Sequence, residues 1–268
     1  MRETAYAKIN LALHVRGRRH DGYHDIETLF AFVDAGDVLA AHVGDNDTLH
    51  VLGPFAQALG VPFDNLAALA LNALPRSSGL EISLEKILPV SAGLGGGSAD
   101  AGAVFRIVRE MYGLPENWRE KAAKLGADVP ACVDSVAAIG RGTGTDIEPV
   151  ENDLAGTEVL LVNPGEALAT GPVFEAWDGE DRGGLPTGSC DNIAREGRND
   201  LESPAISLCP PVADVLAALR ETGAFVTRMS GSGATCFALY RSAERADAAV
   251  SKIAKSQPDW WHMRGRLR

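Results

Sequence analysis

The stretch PVSAGLGGGSADAGA, Pro89 to Ala103, puts five glycines within Gly93–Gly102 and four within Gly93–Gly97, and then runs into a helical pattern. Glycine at this density costs conformational entropy, and the chemistry that repays it is phosphate binding. Glycines let the backbone approach an anion closely and turn several N–H groups toward it, while the helix that follows offers unpaired N–H groups and the positive end of its dipole. A Walker loop is excluded because no lysine follows the glycines, and a dinucleotide fingerprint is excluded because Ser98 stands where its third glycine would be. The candidate ATP-binding residues along this stretch are Pro89, Val90, Ser91, Ala92, Gly93, Leu94, Gly95, Gly96, Gly97 and Ser98. Ser98 has two readings, as the cap of the helix or as a hydroxyl facing a phosphate oxygen or magnesium.

Other residues carry chemical potential that their local sequence leaves open. Lys8 sits in the apolar run AYAKINLALHV, where a lysine ordinarily faces solvent. Asp128 precedes Val129-Pro130 in LGADVPAC, which also suits a helix cap. Tyr23 and His24 follow a glycine in a basic turn, and Phe174 in TGPVFEAW fits either a core or an aromatic platform. The run SGSG, Ser230–Gly233, lies between two extended segments and marks a tight turn or a close backbone approach.

These residues need elements to position them. The chain has 268 residues, 46% apolar and 23% charged, the balance of a globular protein with ample core. Alternation predicts a strand in AKINLALHVRG, a second extended segment after the basic turn, and short strands in GDVLAAHVG and DTLHVLG. A helix spans Asp64–Leu74 with Asp64 or Asn65 as its cap, and LEISLE is a strand leading to the glycines. From Ser98 the apolar positions recur at helical spacing up to Gly113, and another helix covers Trp118–Leu125. AAIGRGTGTDIEPV reads as a glycine-rich polar stretch, and WDGEDRGGLPTGSCDN as an exposed loop. TEVLLVNPG is a strand, PPVADVLAALRETGA and AERADAAVSKIAKS are helices, and VTRMSGSGATCFALYRS is a glycine turn running into a strand. Strands and helices mix without regular alternation, which predicts an α+β fold. A boundary near residue 150 divides the chain into 1–150 and 151–268.

Composition limits the partners. The formal net charge of -11 makes the chain a poor non-specific binder of nucleic acid or of an anionic membrane. Cys132, Cys190, Cys209 and Cys236 form no C-x-x-C pair, so no metal knuckle is expected, and scattered thiols predict a cytoplasmic protein. The N-terminal segment lacks the apolar core of a cleavable signal, and no apolar run reaches the roughly 18–20 residues of a membrane span.

Taken together, PVSAGLGGGSADAGA, AYAKINLALHV and RMSGSGATCFALY resemble the three motifs of the GHMP kinases, over nearly the whole chain from Ala7 to about Tyr240. AKINLALHVRGRRHDGYHDIETLF, LGADVPACV and NDLE (Asn199–Glu202) narrow the resemblance to the branch that phosphorylates a CDP-linked methylerythritol in non-mevalonate isoprenoid synthesis. The resemblance implies a two-domain α+β fold, with a ribosomal-protein-S5-domain-2-like N-terminal part and a ferredoxin-like C-terminal part. It also implies ATP with magnesium as co-substrate, and Lys8 and Asp128 as catalytic residues. Asn10 is implied near the acceptor, Tyr23 and His24 at the cytosine, Phe174 over the cytosine's other face, and Asn65 beside the adenosine. Glu175 stands where some relatives carry a basic residue, so no contact is carried over there. The rival readings are a homoserine or mevalonate kinase of the same family, which would not need the aromatic residues, and a non-catalytic RNA-binding protein, which the acidic charge disfavours.

Overall fold

The computed structural model describes residues 1–59 and 65–268, so Asp64, one of the two candidate caps, lies outside the described residues. Two compact units are assembled from interleaved segments. Met1–Lys8, Ala35–Val90 and Gly95–Ser135 make the first; Ile9–Asp34, Ser91–Leu94 and Val136–Arg268 make the second. Packing therefore does not follow a single cut near residue 150. The strands β1 (Arg2–Arg18) and β2 (His24–Gly44) each contribute to both units, and the segment from Val136 packs with the C-terminal residues.

In the first unit, β3 (Thr48–Leu52) is the outer strand, followed by the helix α1 (Leu66–Ala73) and then β4 (Gly79–Glu85). Along β4, Leu80, Ile82 and Leu84 are buried while Glu81 and Glu85 are exposed, the two-residue period of a strand with one covered face. It pairs antiparallel with Val38–Gly44 of β2 and parallel with β3. GDVLAAHVG is thus the continuation of β2 and not a separate strand. Gly36 looks like a turn residue in the sequence, but it serves close packing: a Cβ there would lie 1.9 Å from the carbonyl oxygen of Ala5. The helix α2 (Gly96–Tyr112) has every residue from Ala99 to Val108 buried, and it packs on α1 and on the short α4 (Val129–Asp134), beside α3 (Trp118–Leu125).

In the second unit, Ile26–Phe30 of β2 pairs with β5 (Ala138–Gly142), which turns back on β6 (Asp146–Pro149). The glycine-rich polar stretch is therefore a hairpin. The rest comprises β7 (Glu158–Asn163), α5 (Thr170–Glu175), α6 (Cys190–Glu196), α7 (Glu202–Leu208), α8 (Pro211–Arg220), β8 (Val226–Met229), β9 (Cys236–Tyr240), α9 (Ala243–Ser256) and β10 (Trp261–Arg266). The antiparallel order β10-β7-β9-β8, with α8 and α9 as the crossing helices, is the split β-α-β arrangement of a ferredoxin-like sheet. Leu160, Val162, Val212, Val215, Leu216, Leu219, Ala246 and Ile253 fill its core. The tail carrying Trp261 is an edge strand of this sheet, registered residue by residue on β7. The segment 178–189 is not free of the body. Arg16 pairs with Asp181 at 2.8 Å, Leu185 N–H donates to Glu27 at 2.9 Å, and His14 Nδ1 lies 2.9 Å from the Gly184 carbonyl.

Candidate active site

Lys8 and Asp128, 120 residues apart in the chain, meet in the first unit: Lys8 Nζ lies 2.9 Å from Asp128 Oδ2. The lysine side chain is 6% exposed and the aspartate 35%, so a buried cation holds a carboxylate that still reaches solvent. Asp128 occupies the residue before α4, yet its side chain makes no capping hydrogen bond. Its carboxylate is thus not spent on the helix, as the local sequence also allowed, and the lysine does not face solvent.

The glycine run supplies the next part. The N-cap of α2 is Gly95, in the left-handed conformation (φ 61°), and no side chain caps the helix. Ser98 is consequently the third residue inside α2 rather than its cap, because Gly96 and Gly97 have joined the first turn. The N–H groups of that turn have no side-chain acceptor at the cap and point toward the end of the helix, the geometry that receives an anion. A Cβ on Gly95 would come within 3.1 Å of Lys8 Cε, so the glycine also makes room for the lysine. Just before the run, Ser91 holds a positive φ of 53° without being glycine, the kind of strain that collects at binding loops.

Beneath this turn lies a charged cluster that the sequence does not announce. Lys86 Nζ is 2.5 Å from Asp37 Oδ2 and 2.8 Å from Asp100 Oδ2, and all three residues are buried. Asp37 also accepts from the N–H groups of Ile87 and Leu88, fixing the chain as it enters the glycine run. Burial pushes the Asp100 carboxyl up to about 8 against the pull of Lys86, with Asp37 adding to the rise. Asn65 caps α1, its Oδ1 accepting from Ala67 N–H at 2.9 Å.

In the second unit, the Ser230–Gly233 turn clasps the first limb of the glycine run. Ser230 Oγ donates to the Gly93 carbonyl at 2.7 Å, and Thr235 N–H donates to the Ala92 carbonyl at 3.1 Å. A Cβ on Gly93, whose φ is 75°, would lie 2.3 Å from the Ser230 carbonyl oxygen, so this contact requires glycine. Asn10 joins the same assembly: its N–H donates to Ser230 Oγ at 3.2 Å and its side chain to Thr28 at 2.7 Å. Leu94 is buried, while Ser91 is exposed and Pro89 and Val90 are half-buried.

Also in the second unit, His24 and Phe174 meet with centroids 5.1 Å apart and planes tilted by 41°, and Trp177 meets His24 edge-on at 5.7 Å. Tyr23 is 66% exposed, so the ring that meets Phe174 is the histidine's. His24 Nε2 is buried and has no hydrogen-bond partner. Burial lowers the His24 pKa below its ordinary value, and the Arg18 guanidinium lowers it further. Arg18 donates to the carbonyls of Glu175 at 2.8 Å and Trp177 at 2.5 Å, closing the end of α5 that carries Phe174. An imidazole with an unpartnered Nε2, tilted against a phenyl ring, suits a planar heterocycle that offers both a face and hydrogen-bonding atoms.

A family model described as the GHMP kinases N terminal domain matches residues 63–139, and one described as GHMP kinases C terminal matches residues 187–259. A protein of Erythrobacter litoralis named 4-diphosphocytidyl-2-C-methyl-D-erythritol kinase is 64% identical, covering 99% of this chain and 98% of its own length. One of the same name from Novosphingobium aromaticivorans is 62% identical, covering 100% of this chain and 93% of its own. A crystal structure of 4-(cytidine 5'-diphospho)-2C-methyl-D-erythritol kinase matches with a TM-score of 0.85 at 34% identity, covering 100% of this chain and 99% of that one.

Proposed function

The chain belongs to the GHMP kinases, and from that membership we propose that it transfers the terminal phosphoryl group of ATP to the 2-hydroxyl of 4-diphosphocytidyl-2-C-methyl-D-erythritol, in the non-mevalonate route to isoprenoid precursors. The observation that carries this choice within the family is the His24–Phe174 stack with its unpartnered Nε2, because a cytosine needs an aromatic face and an edge partner. Homoserine and mevalonate kinases act on acceptors without a base and have no use for that arrangement. Relatives carrying the cytidyl name match at 50% identity and above over the full chain, which supports the same reading.

Phosphoryl transfer asks for positioning and charge stabilisation more than for covalent participation by the protein. The N–H groups from Gly95 to Ser98 receive the ATP phosphates, with Pro89–Leu94 as the approach limb and Asn65 beside the adenosine. Asp128 orients the acceptor hydroxyl and takes its proton. The hydroxyl oxygen then bonds to the γ-phosphorus, and the bond from phosphorus to the oxygen of the leaving ADP breaks. Lys8 fixes the Asp128 carboxylate and offers its charge to the phosphoryl group in transit. Asn10 lies near the acceptor, and Tyr23, His24 and Phe174 hold the cytosine. Among the described residues no group of three His, Cys, Asp or Glu side chains is arranged to hold a metal ion. Magnesium would enter on the nucleotide and would need only one or two protein oxygens, of which the Ser98 hydroxyl is the candidate. When bound, the ion neutralises phosphate charge.

The acidic net charge supports small-molecule partners over nucleic acid. No helix among the described residues is long and apolar enough to cross a membrane. The four cysteines are free and buried, which supports a reducing, cytoplasmic setting. The test is to incubate the purified chain with ATP, magnesium and 4-diphosphocytidyl-2-C-methyl-D-erythritol and to locate the new phosphate by phosphorus–carbon coupling in the product. Phosphate on the 2-hydroxyl carbon is expected; no product, or phosphate on another carbon, refutes the proposal.

A further inference from the structure

The motif NDLE helped to mark the family, but no step of the proposed mechanism uses it. In the second unit it is a splice. Leu13 and Asn199 form a parallel bridge, in which Leu13 N–H donates to the Arg198 carbonyl at 2.8 Å and Asp200 N–H donates to the Leu13 carbonyl at 2.9 Å. Asp200 reinforces it by accepting from Val15 N–H at 2.8 Å. From the strand held in this way, Asn199 reaches the glycine turn. Its Nδ2 donates to the carbonyls of both Met229 and Gly231, each at 2.8 Å, while its Oδ1 accepts from Leu201 N–H at 3.0 Å. Glu202 accepts from Met229 N–H at 3.2 Å. Asn199 is 7% exposed, and the carboxamide is the side chain whose two N–H donors and one acceptor match these three partners.

The turn branches to two places. Ser230 Oγ donates to the Gly93 carbonyl, on the approach limb of the phosphate run. Ser232 Oγ lies 3.0 Å from Thr170 Oγ1, at the start of α5, the helix that carries Phe174. We propose that Asn199 is a positioning residue that sets both substrate sites at once, through the Ser230–Gly233 turn: the nucleotide through Ser230 and Gly93, and the cytidyl acceptor through Ser232, Thr170 and α5. This inference rests on the functional reading above, which assigns the glycine run to ATP and Phe174 to cytosine.

The branches make the inference testable with the full chain. Dissociation constants are measured by calorimetry for a non-hydrolysable ATP analogue and for 4-diphosphocytidyl-2-C-methyl-D-erythritol, beside the melting curve. Losing the two donated hydrogen bonds in Asn199→Ala is expected to weaken both ligands, each about tenfold. Ser230→Ala weakens the ATP analogue more than the acceptor, to which Ser230 is linked only through the Asn10 N–H, and Thr170→Val weakens the acceptor alone. Thr222→Val removes a partly buried hydrogen bond to Tyr240 elsewhere in the same unit and serves as the control; it lowers the melting temperature without weakening either ligand. A merely structural Asn199 would behave like Thr222→Val, and both dissociation constants staying within about twofold of the unaltered chain would overturn the proposal. If Asn199→Ala does not fold, Asn199→Asp decides, because it keeps the acceptor for the Leu201 N–H and loses both donors: weakening of both ligands upholds the proposal, and both constants within about twofold of the unaltered chain overturn it. Failure of the unaltered chain to bind the acceptor, or unchanged ATP affinity in Gly95→Val, points instead to an error in the functional reading itself.

Discussion

Asp128 has two local uses, and the structure separates them. A cap would bond to the backbone of its own helix, whereas this carboxylate pairs with Lys8 and stays partly open to solvent. Asp128→Ala is therefore expected to lower kcat by about a hundred- to ten-thousand-fold, the range for loss of an acid–base group, with ATP affinity nearly unchanged. Full activity in steady-state assays would reduce Asp128 to a helix-start residue. His24 yields a pH prediction. Its folded-state pKa lies below the ordinary 6.5, so the neutral ring prevails above that value, and protons bind more readily to the unfolded chain. The stability this group contributes is fully present above pH 6.5 and is lost as pH falls through the lowered folded pKa; buried His14 adds a contribution of the same sign. The acceptor KM should be flat above that pH and rise below it, and His24→Phe should flatten the profile. A KM unaffected by acid in the unaltered chain would remove His24 from the acceptor site.

At the scale of elements, a glycine run leading into a helix was legible because glycine density ahead of a helical period has few other physical uses. Its detailed form was not. Periodicity starts the helix at Ser98, since Gly96 and Gly97 carry no side chains to register a period, yet the structure begins α2 at Gly96. Nor could spacing reveal the cluster of Asp37, Lys86 and Asp100, whose members come from a strand, a connection and a helix and meet only in the fold. The long β2 was masked by Gly36, which reads as punctuation but serves close packing. Gly95→Val follows from the element's geometry. The new side chain would strain a left-handed backbone and press on Lys8, so ATP affinity should fall by tenfold or more and kcat should fall with it. Calorimetry and initial rates check both, and unchanged affinity in a folded variant would take the phosphates away from this run.

For the molecule as a whole, the α+β class and both family domains could be anticipated from motifs spread along the chain, and the matched models cover residues 63–139 and 187–259. The division into units could not, because β1 and β2 pass through both and defeat any reading in chain order. Tyr23 and Phe174 looked as though they belonged to separate domains, yet both lie in the second unit, where Phe174 already stacks on His24. Phe174 also packs against that unit's core, so its two roles need separate readouts. Phe174→Ala should raise the acceptor KM by about tenfold, the lower part of the roughly 1–3 kcal/mol found for a stacked base, with ATP affinity nearly unchanged. A residue acting only as core would instead lower the melting temperature by the equivalent of about 3–5 kcal/mol and weaken both substrates alike. The most direct test of the central claim is kcat/KM for ATP-dependent phosphorylation of 4-diphosphocytidyl-2-C-methyl-D-erythritol, measured beside homoserine and mevalonate on one preparation. The account predicts turnover of the cytidyl acceptor at least about a thousandfold above either small alcohol, since those leave the aromatic site empty. Equal or greater kcat/KM for homoserine or mevalonate would contradict it.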